Sequence, residues 1–443
     1  MLRKKLNRTM ISRLSIHNVG PAEEMCMEFG QGLNVITGDN GVGKSFLLDV
    51  IWWALTRQWP QEVNPTLTCG RKAMPTAGAK ASIHATLTGQ TTKPELNSTY
   101  DRKTLEWSLP KGRPTKQGLV VYAMVDGSFS VWDPARNYWR RQEQPQGDAV
   151  KQAAYVFSPW EVWNGQDNEL GERTCNGLIS DWRDWILEND KSMEYLQKAL
   201  AELSPKGEKI QVHGLTRVGN DTRRIPTLCM PYTQKEDAGV PIIHASSGIK
   251  RVATLAYLLV WAWQEHLEAC KQTGEKVTSG ITLLIDEVEA HLHPRWQRTI
   301  LRAFHSVIEN MTAGQNALRH IQTIVTTHSP LVMASCEDFF DPENDKWFDL
   351  DICAGNVKLT ERAFEKQGDV SDWLVSDAFD MPSTRSEGVE ETLRRACDFM
   401  KRSDARLEEA RSLQHELERV LSARDDFWFQ WRFFIAKLQH TQA

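Results

Sequence analysis

Residues 38 to 45 read Gly-Asp-Asn-Gly-Val-Gly-Lys-Ser and fill every fixed position of the phosphate-binding pattern G-x-x-x-x-G-K-[ST]. The pattern constrains a chain strongly, because it works only where a strand hands over to a helix. Both flanks comply. Gly32 to Thr37 is a short apolar run suited to a buried strand, and Phe46 to Leu55 is long and apolar enough to predict a helix.

Glycine at 38, 41 and 43 lets the backbone turn tightly. The N–H groups of Gly38, Asp39, Asn40, Gly41, Val42, Gly43, Lys44, Ser45 and Phe46 can then face phosphate, with the positive end of the helix dipole behind them. Lys44 is placed to reach the β- and γ-phosphates, and the Ser45 hydroxyl to coordinate Mg²⁺. Alone, this loop permits a kinase, a GTPase or a helicase.

Three later segments narrow the choice. Ile281 to Ile285 is a buried apolar strand ending in Asp286-Glu287, about 240 residues after the loop. A carboxylate at such a tip can hold Mg²⁺ through its water shell, the role expected of Asp286, and its neighbour Glu287 can take a proton from an attacking water. His244 to Arg251 opens a long apolar helix, and Ser246, Ser247 and Gly248 at its start make a second anion site. One chain does not need two such sites for one γ-phosphate, so this segment is expected to face the nucleotide on another copy. Ile321 to Thr327 is a further buried strand, tipped by His328, which can hydrogen-bond a γ-phosphate and report its presence.

The 443 residues carry 53 basic and 58 acidic side chains, net -5, so any nucleic-acid contact must come from a local patch. Nucleic acid is possible as a partner but not demanded. Eight cysteines, at 26, 69, 175, 229, 270, 336, 353 and 397, show no C-x-x-C and no zinc spacing, which fits reduced thiols in a cytoplasmic protein. The basic N-terminus is followed by no signal-peptide core, and no apolar run of about eighteen residues suggests a membrane span.

Residues 10 to 37 alternate through Ile11, Leu14, Ile16 and Val19, turn at Gly20-Pro21, and resume through Met25, Met27 and Phe29, predicting a β-hairpin. Residues 58 to 115 are weakly patterned apart from a strand at 81 to 87. Asp126-Gly127 joins two β-type runs between 118 and 133. The cluster Arg136, Tyr138, Trp139, Arg140 and Arg141 packs on its own domain or touches phosphates or a partner. Leu178 to Leu203 has helical spacing, as one helix or two, and no sustained heptad follows.

At these residues the chain resembles the ABC-type ATPase heads, in the branch related to SMC and recombination-repair ATPases found in bacterial anti-phage systems. Gly38 to Ser45 is similar to the Walker A motif, Ala245 to Gly248 to the signature, Leu283 to Glu287 to Walker B, Glu289 to Pro294 to the D-loop region, and His328 to the switch histidine. Ser247 and Ile249 stand where transporter signatures carry Gly and Gln, which weakens a transporter reading. The glutamine loop has two candidates, Gln152 and Gln166. Asp372 to Phe379, Arg385-Ser386 and Asp425 to Trp431 are similar to the ATPases of Septu and some retron systems.

The resemblance implies an α/β fold, an ABC-type P-loop head of mixed sheet, flanking helices and an N-terminal antiparallel β region. The head is expected over 1–355, with a compact insertion at about 58–230 lacking long coiled-coil arms, and a mainly helical region over 356–443. It implies ATP and Mg²⁺ as cofactors, with Lys44, Glu287 and His328 catalytic and Ser45 and Asp286 on the metal. It also implies a head-to-tail dimer, or a higher oligomer of dimers, and an effector nuclease, of HNH type in Septu systems, as partner. Asp349 and Asp351 have the spacing of paired metal-binding acids, but lie in a run that fits a last head strand, so an intrinsic nuclease is not expected. The rival functions are a DNA-repair or DNA-tethering ATPase acting directly on nucleic acid, and an ATP-dependent assembly scaffold with little turnover.

Overall fold

The run Leu33–Gly38 becomes a strand because β-branched and aliphatic side chains can be buried on both its faces, as they are in the middle of a parallel sheet. In the computed structural model, which describes residues 10–76, 78–88, 95–109, 118–137, 153–168, 170–230, 239–312 and 320–442, it lies inside an eight-stranded sheet. Across that sheet the strands run Asn356–Arg362, Lys346–Cys353, Leu33–Gly38, His320–Thr326, Gly280–Ile285, Leu119–Ala123, Phe129–Trp132 and Tyr155–Phe157. The five from Lys346–Cys353 to Leu119–Ala123 are parallel, and the strands outside them pair antiparallel. Ile285 stands opposite both Val325 and Ala123, and Ile36 opposite Thr326. The carboxyl ends of these strands therefore share one edge, where ligands of α/β sheets bind.

Behind that edge lies the helix Lys44–Thr56. Leu47, Leu48, Val50, Ile51, Trp52 and Trp53 are all buried, so it is apolar all round. It packs both on the main sheet and on a second, antiparallel sheet ordered Ala22–Glu28, Met10–Val19, Ser82–Thr88, Glu95–Asp101 and Glu106–Trp107. Leu14 opposes Met27 and Ile16 opposes Met25, so the expected hairpin points its apolar set inward. Trp53 stacks on Trp59 at 5.2 Å and meets Trp107 at 6.0 Å, tying the helix to that sheet.

The expected strand near 81–87 is Ser82–Thr88, and the Asp126-Gly127 turn closes a hairpin with Val121 opposite Val131. The helical stretch of the insertion is a pair, Leu178–Glu188 and Lys191–Leu203, broken where Asn189 takes a left-handed conformation and Asp190 caps the second helix. These are short helices, as the absence of heptads requires.

The expected head boundary at 355 falls inside a hairpin. Ala354 and Gly355 carry φ of 50° and 82°, and the chain returns as Asn356–Arg362 with Leu350 opposite Leu359. The Trp347 run is thus not the last strand of the head, and the first compact unit ends at Gly368. In the second unit, Asp369–Ala443, helices Glu387–Lys401, Leu407–Val420 and Phe427–Gln442 enclose Ala396, Phe399, Ala410, Leu413, Leu417 and Trp431. The first two of these helices supply most of that core.

Candidate nucleotide site

The loop holds its shape through backbone constraints. Gly38 has φ of 135°, and a Cβ there would stand 2.2 Å from the carbonyl oxygen of Leu350. Gly43 has φ of 105°, with Pro21 Cγ 2.7 Å from where its Cβ would be. Both positions exclude side chains on two counts. Val42 is buried and anchors the loop, and the Phe46 ring lies against the Gly20 turn, so these two residues offer a ligand their backbone only.

Lys44 is buried, and all three ammonium protons find acceptors: Gly38 O at 2.8 Å, Asp39 O at 2.7 Å and His328 Nδ1 at 3.3 Å. Burial lowers its pKa, against the opposing pull of Glu287, Asp286, Glu289 and Asp39. An ammonium has only protons to give, so Nδ1 of His328 accepts and the imidazole proton sits on Nε2. Nε2 lies 3.7 Å from Glu287 Oε1. Burial and then the charge of Lys44 lower the His328 pKa, which favours the neutral ring near pH 7.

The two acids are organised by a hydroxyl that sequence reasoning passed over. Thr326 Oγ1 accepts from the backbone N–H of Glu287 at 2.7 Å and donates to Asp286 Oδ1 at 2.7 Å. One hydroxyl thus orders the carboxylate of Asp286 and the backbone of Glu287. Glu287 has φ of 43°, a left-handed conformation that costs a side-chain-bearing residue energy, and the Thr326 bond helps hold it there. Glu289 accepts from Thr327 Oγ1 at 2.7 Å and from the His328 N–H at 2.5 Å, so the D-loop region fixes the strand tip that carries the histidine. The signal was present as Thr326-Thr327, two polar residues ending an apolar strand just before His328.

These residues fit Mg²⁺ and a polyphosphate. Asp286 is 2% exposed and burial raises its pKa, opposed by hydroxyls of Ser45 and Thr326. A carboxylate so buried gains its charge back beside a divalent cation, and Ser45 is the hydroxyl that could share it. Mg²⁺ would supply charge neutralisation between two phosphates. Beneath lies another carboxyl, Asp49, which takes a 3.0 Å hydrogen bond from Tyr122 and is pushed up to about 8 by burial.

The signature segment is built differently. Ser246 and Ser247 are exposed at the start of Ser247–Thr273, and no side chain caps that helix. Gly248 lies so close to the D-loop region that a Cβ would stand 2.7 Å from the carbonyl oxygen of His291. Gln166 spends its amide on Val156 O and Glu161, and Gln152 lies outside the described residues. Of the aromatic-basic cluster, Arg136 sits 3.7 Å over the ring of Tyr155, while Tyr138, Trp139, Arg140 and Arg141 also lie outside the described residues. Asp349 accepts from Thr37 at 2.8 Å and pairs with Arg362, a use within the sheet edge, and among the described residues no group of three or more His, Cys, Asp or Glu could hold a metal.

Comparison with known proteins bears on this arrangement. A family described as "AAA domain, putative AbiEii toxin, Type IV TA system" matches residues 176–334, which hold the signature, the acid pair and His328, and an AAA domain family matches 13–113, which hold the loop. The Septu protein PtuA of Bacillus thuringiensis is 21% identical over 392 residues, covering 85% of this chain and 86% of that one. Both matched families are AAA domains, and between them they span the loop, the acid pair and His328. A shorter stretch of this chain, 53 residues, is 42% identical to the Retron Vc95 probable ATPase of Vibrio cholerae serotype O1 biovar El Tor, covering 12% and 8% of the two chains. Among solved structures, the SMC head bound to the C-winged helix domain of ScpA is 13% identical with a TM-score of 0.39, covering 80% of this chain and 98% of that one. The recombination mediator RecF is 13% identical with a TM-score of 0.37, covering 81% and 99%. Among the described residues, no helix is long and apolar enough to cross a membrane.

Proposed function

We propose that this chain is an SMC-like AAA ATPase, that two copies pair head to tail, each supplying Ser246, Ser247 and Gly248 to the nucleotide on the other's loop, and that the cycle governs an effector nuclease in anti-phage defence. The observation that carries the reading is the contrast between a loop edge where Lys44, Asp286 and Glu289 all have partners and a signature helix whose N-terminus is exposed and uncapped. In this reading Lys44 and the Nε2–H of His328 meet charge developing on the γ-phosphate. Glu287, half-exposed and oriented by Thr326, is the base that takes the proton of the attacking water. Asp286 and Ser45 would hold Mg²⁺. Similarity to PtuA along most of both chains supports the defence role, and the partner we propose is a nuclease of HNH type.

Complementation tests the pairing. Neither Ser246→Arg nor Lys44→Ala alone should release phosphate at an appreciable rate. A mixture should recover turnover, because one composite site per dimer combines an intact loop with an intact signature. A mixture as inactive as its parts would sink sharing between copies. For the partner, purification with the products of neighbouring genes, with and without ATP, should bring an HNH protein through the column. A column that returns the ATPase alone under both conditions overturns the nuclease assignment.

A further inference from the structure

Beside the signature helix lies a cavity of about 570 Å³, within the range of small-molecule sites. Arg251 forms part of its lining and is only 7% exposed. One guanidinium nitrogen donates to Met124 O at 2.9 Å, but Nε and Nη2 are buried without an acceptor. Asp286, Asp126 and Glu287 balance its charge and take none of these hydrogens, although Asp126 also lines the cavity. Buried guanidinium N–H groups are costly to leave unpaired, and a planar fork of donors suits phosphate or carboxylate. Lys250, one residue earlier, and the exposed Ser247 end of the helix add positive potential on the same wall. Arg223, also lining the cavity, is spent on Asp221 and Asn164 at 2.7 and 2.8 Å and serves to stiffen it.

The lining is also aromatic. Trp160 and Trp163 line the cavity from Pro159–Asn164, a short helix fixed by a capping box between Ser158 and Glu161. Trp160 is 68% exposed, an indole held in water on a pinned support. Such a face gains from stacking on a flat ring. An inorganic anion would use the basic wall and leave the indoles idle, whereas an apolar ligand would leave Arg251 unpaired.

We propose that this cavity binds a nucleoside phosphate, its phosphate on Arg251 and Lys250 and its base against Trp160 and Trp163, at a site separate from the Lys44 loop. The ligand is either a free mononucleotide or the phosphorylated end of an oligonucleotide.

The test uses the full chain carrying Lys44→Ala, so that the phosphate loop does not contribute. AMP, GMP, CMP, UMP, adenosine and a 5′-phosphorylated trinucleotide are titrated by calorimetry, with tryptophan fluorescence as a second readout. Saturable binding of at least one phosphorylated probe is expected, at least tenfold tighter than adenosine, and weakened tenfold or more by Arg251→Met and by Trp160→Ala. The exposed Trp160 side chain makes the second variant safe should loss of the Met124 contact unfold the first. Tighter binding of a mononucleotide or of the trinucleotide identifies the source, and either supports the site. No saturable binding at millimolar probe overturns it, as does affinity indifferent to Trp160→Ala. Binding present in the unsubstituted chain but abolished by Lys44→Ala would return the ligand to the loop and also overturn it.

Discussion

The loop edge and the signature helix are both suited to phosphate, yet they are built in opposite ways. At the loop edge, Lys44, Asp286, Glu289 and His328 are buried or half-buried and each has named partners, so the geometry is set before any ligand arrives. At the signature, Ser246 and Ser247 are exposed and their helix N-terminus has no side-chain cap. Pre-set charge suits chemistry, where reorganisation is costly. Unspent donors suit recognition of something that arrives from outside. The two are mechanically joined within one copy, because Gly248 packs on His291 while Glu289, two residues earlier, holds Thr327 and His328.

The sharpest way to break this contrast is Glu287→Gln. Losing a general base costs on the order of 10²–10⁴ in rate, while the uncharged side chain leaves the loop intact. Phosphate release should fall by that factor with ATP affinity retained. Rapid turnover would remove Glu287 from its role.

Lys44→Ala and Ser246→Arg separate the two halves. The first removes a pre-set charge and should abolish tight nucleotide binding, with turnover down roughly 10²–10³-fold, the scale of losing one donor to transition-state charge. The second should leave ATP bound to the loop of an isolated chain and remove turnover alone. If both variants lose affinity equally, the halves are not functionally distinct.

How far the contrast could be read in advance depended on how local each signal is. The loop, the Asp126-Gly127 hairpin and the apolar strands ending in Asp286 and His328 are written in adjacent residues, and each lies where the pattern indicated. The pairing of Ile16 with Ile83 and the return strand Asn356–Arg362 depend on partners chosen by tertiary packing, so residues 58 to 115 were poorly legible and the hairpin that crosses 355 was not apparent. Thr326 was missed for a related reason. Its part in the site arises from strand order, which brings the tips of His320–Thr326 and Gly280–Ile285 side by side.

Thr326→Val probes that pre-setting with little change of shape. It strips the Glu287 N–H of its acceptor and Asp286 of a donor, and an unpaired buried group costs about 1–3 kcal/mol. Turnover should fall roughly 5- to 150-fold at that scale, less than for Glu287→Gln, while Ser246→Arg mixtures behave as before. Unchanged turnover would mean that the acids keep their geometry without the hydroxyl.

The smallest effect on turnover is expected from Asp49, which lies beneath the site and touches Tyr122. Burial pushes its carboxyl from 3.8 up to about 8 in the folded chain. Because the folded state then holds a proton that the unfolded chain has released, the protonated carboxyl favours folding most below pH 4, and that contribution is lost as pH rises through about 8. Asp49→Asn mimics the protonated form at every pH. Its Tm should therefore gain on the parent between pH 5 and 8 and stop gaining above that window. Parallel Tm curves for the two chains would show that Asp49 is ionised in the fold, and that the interior behind the loop tolerates a charge that the loop edge holds only with partners.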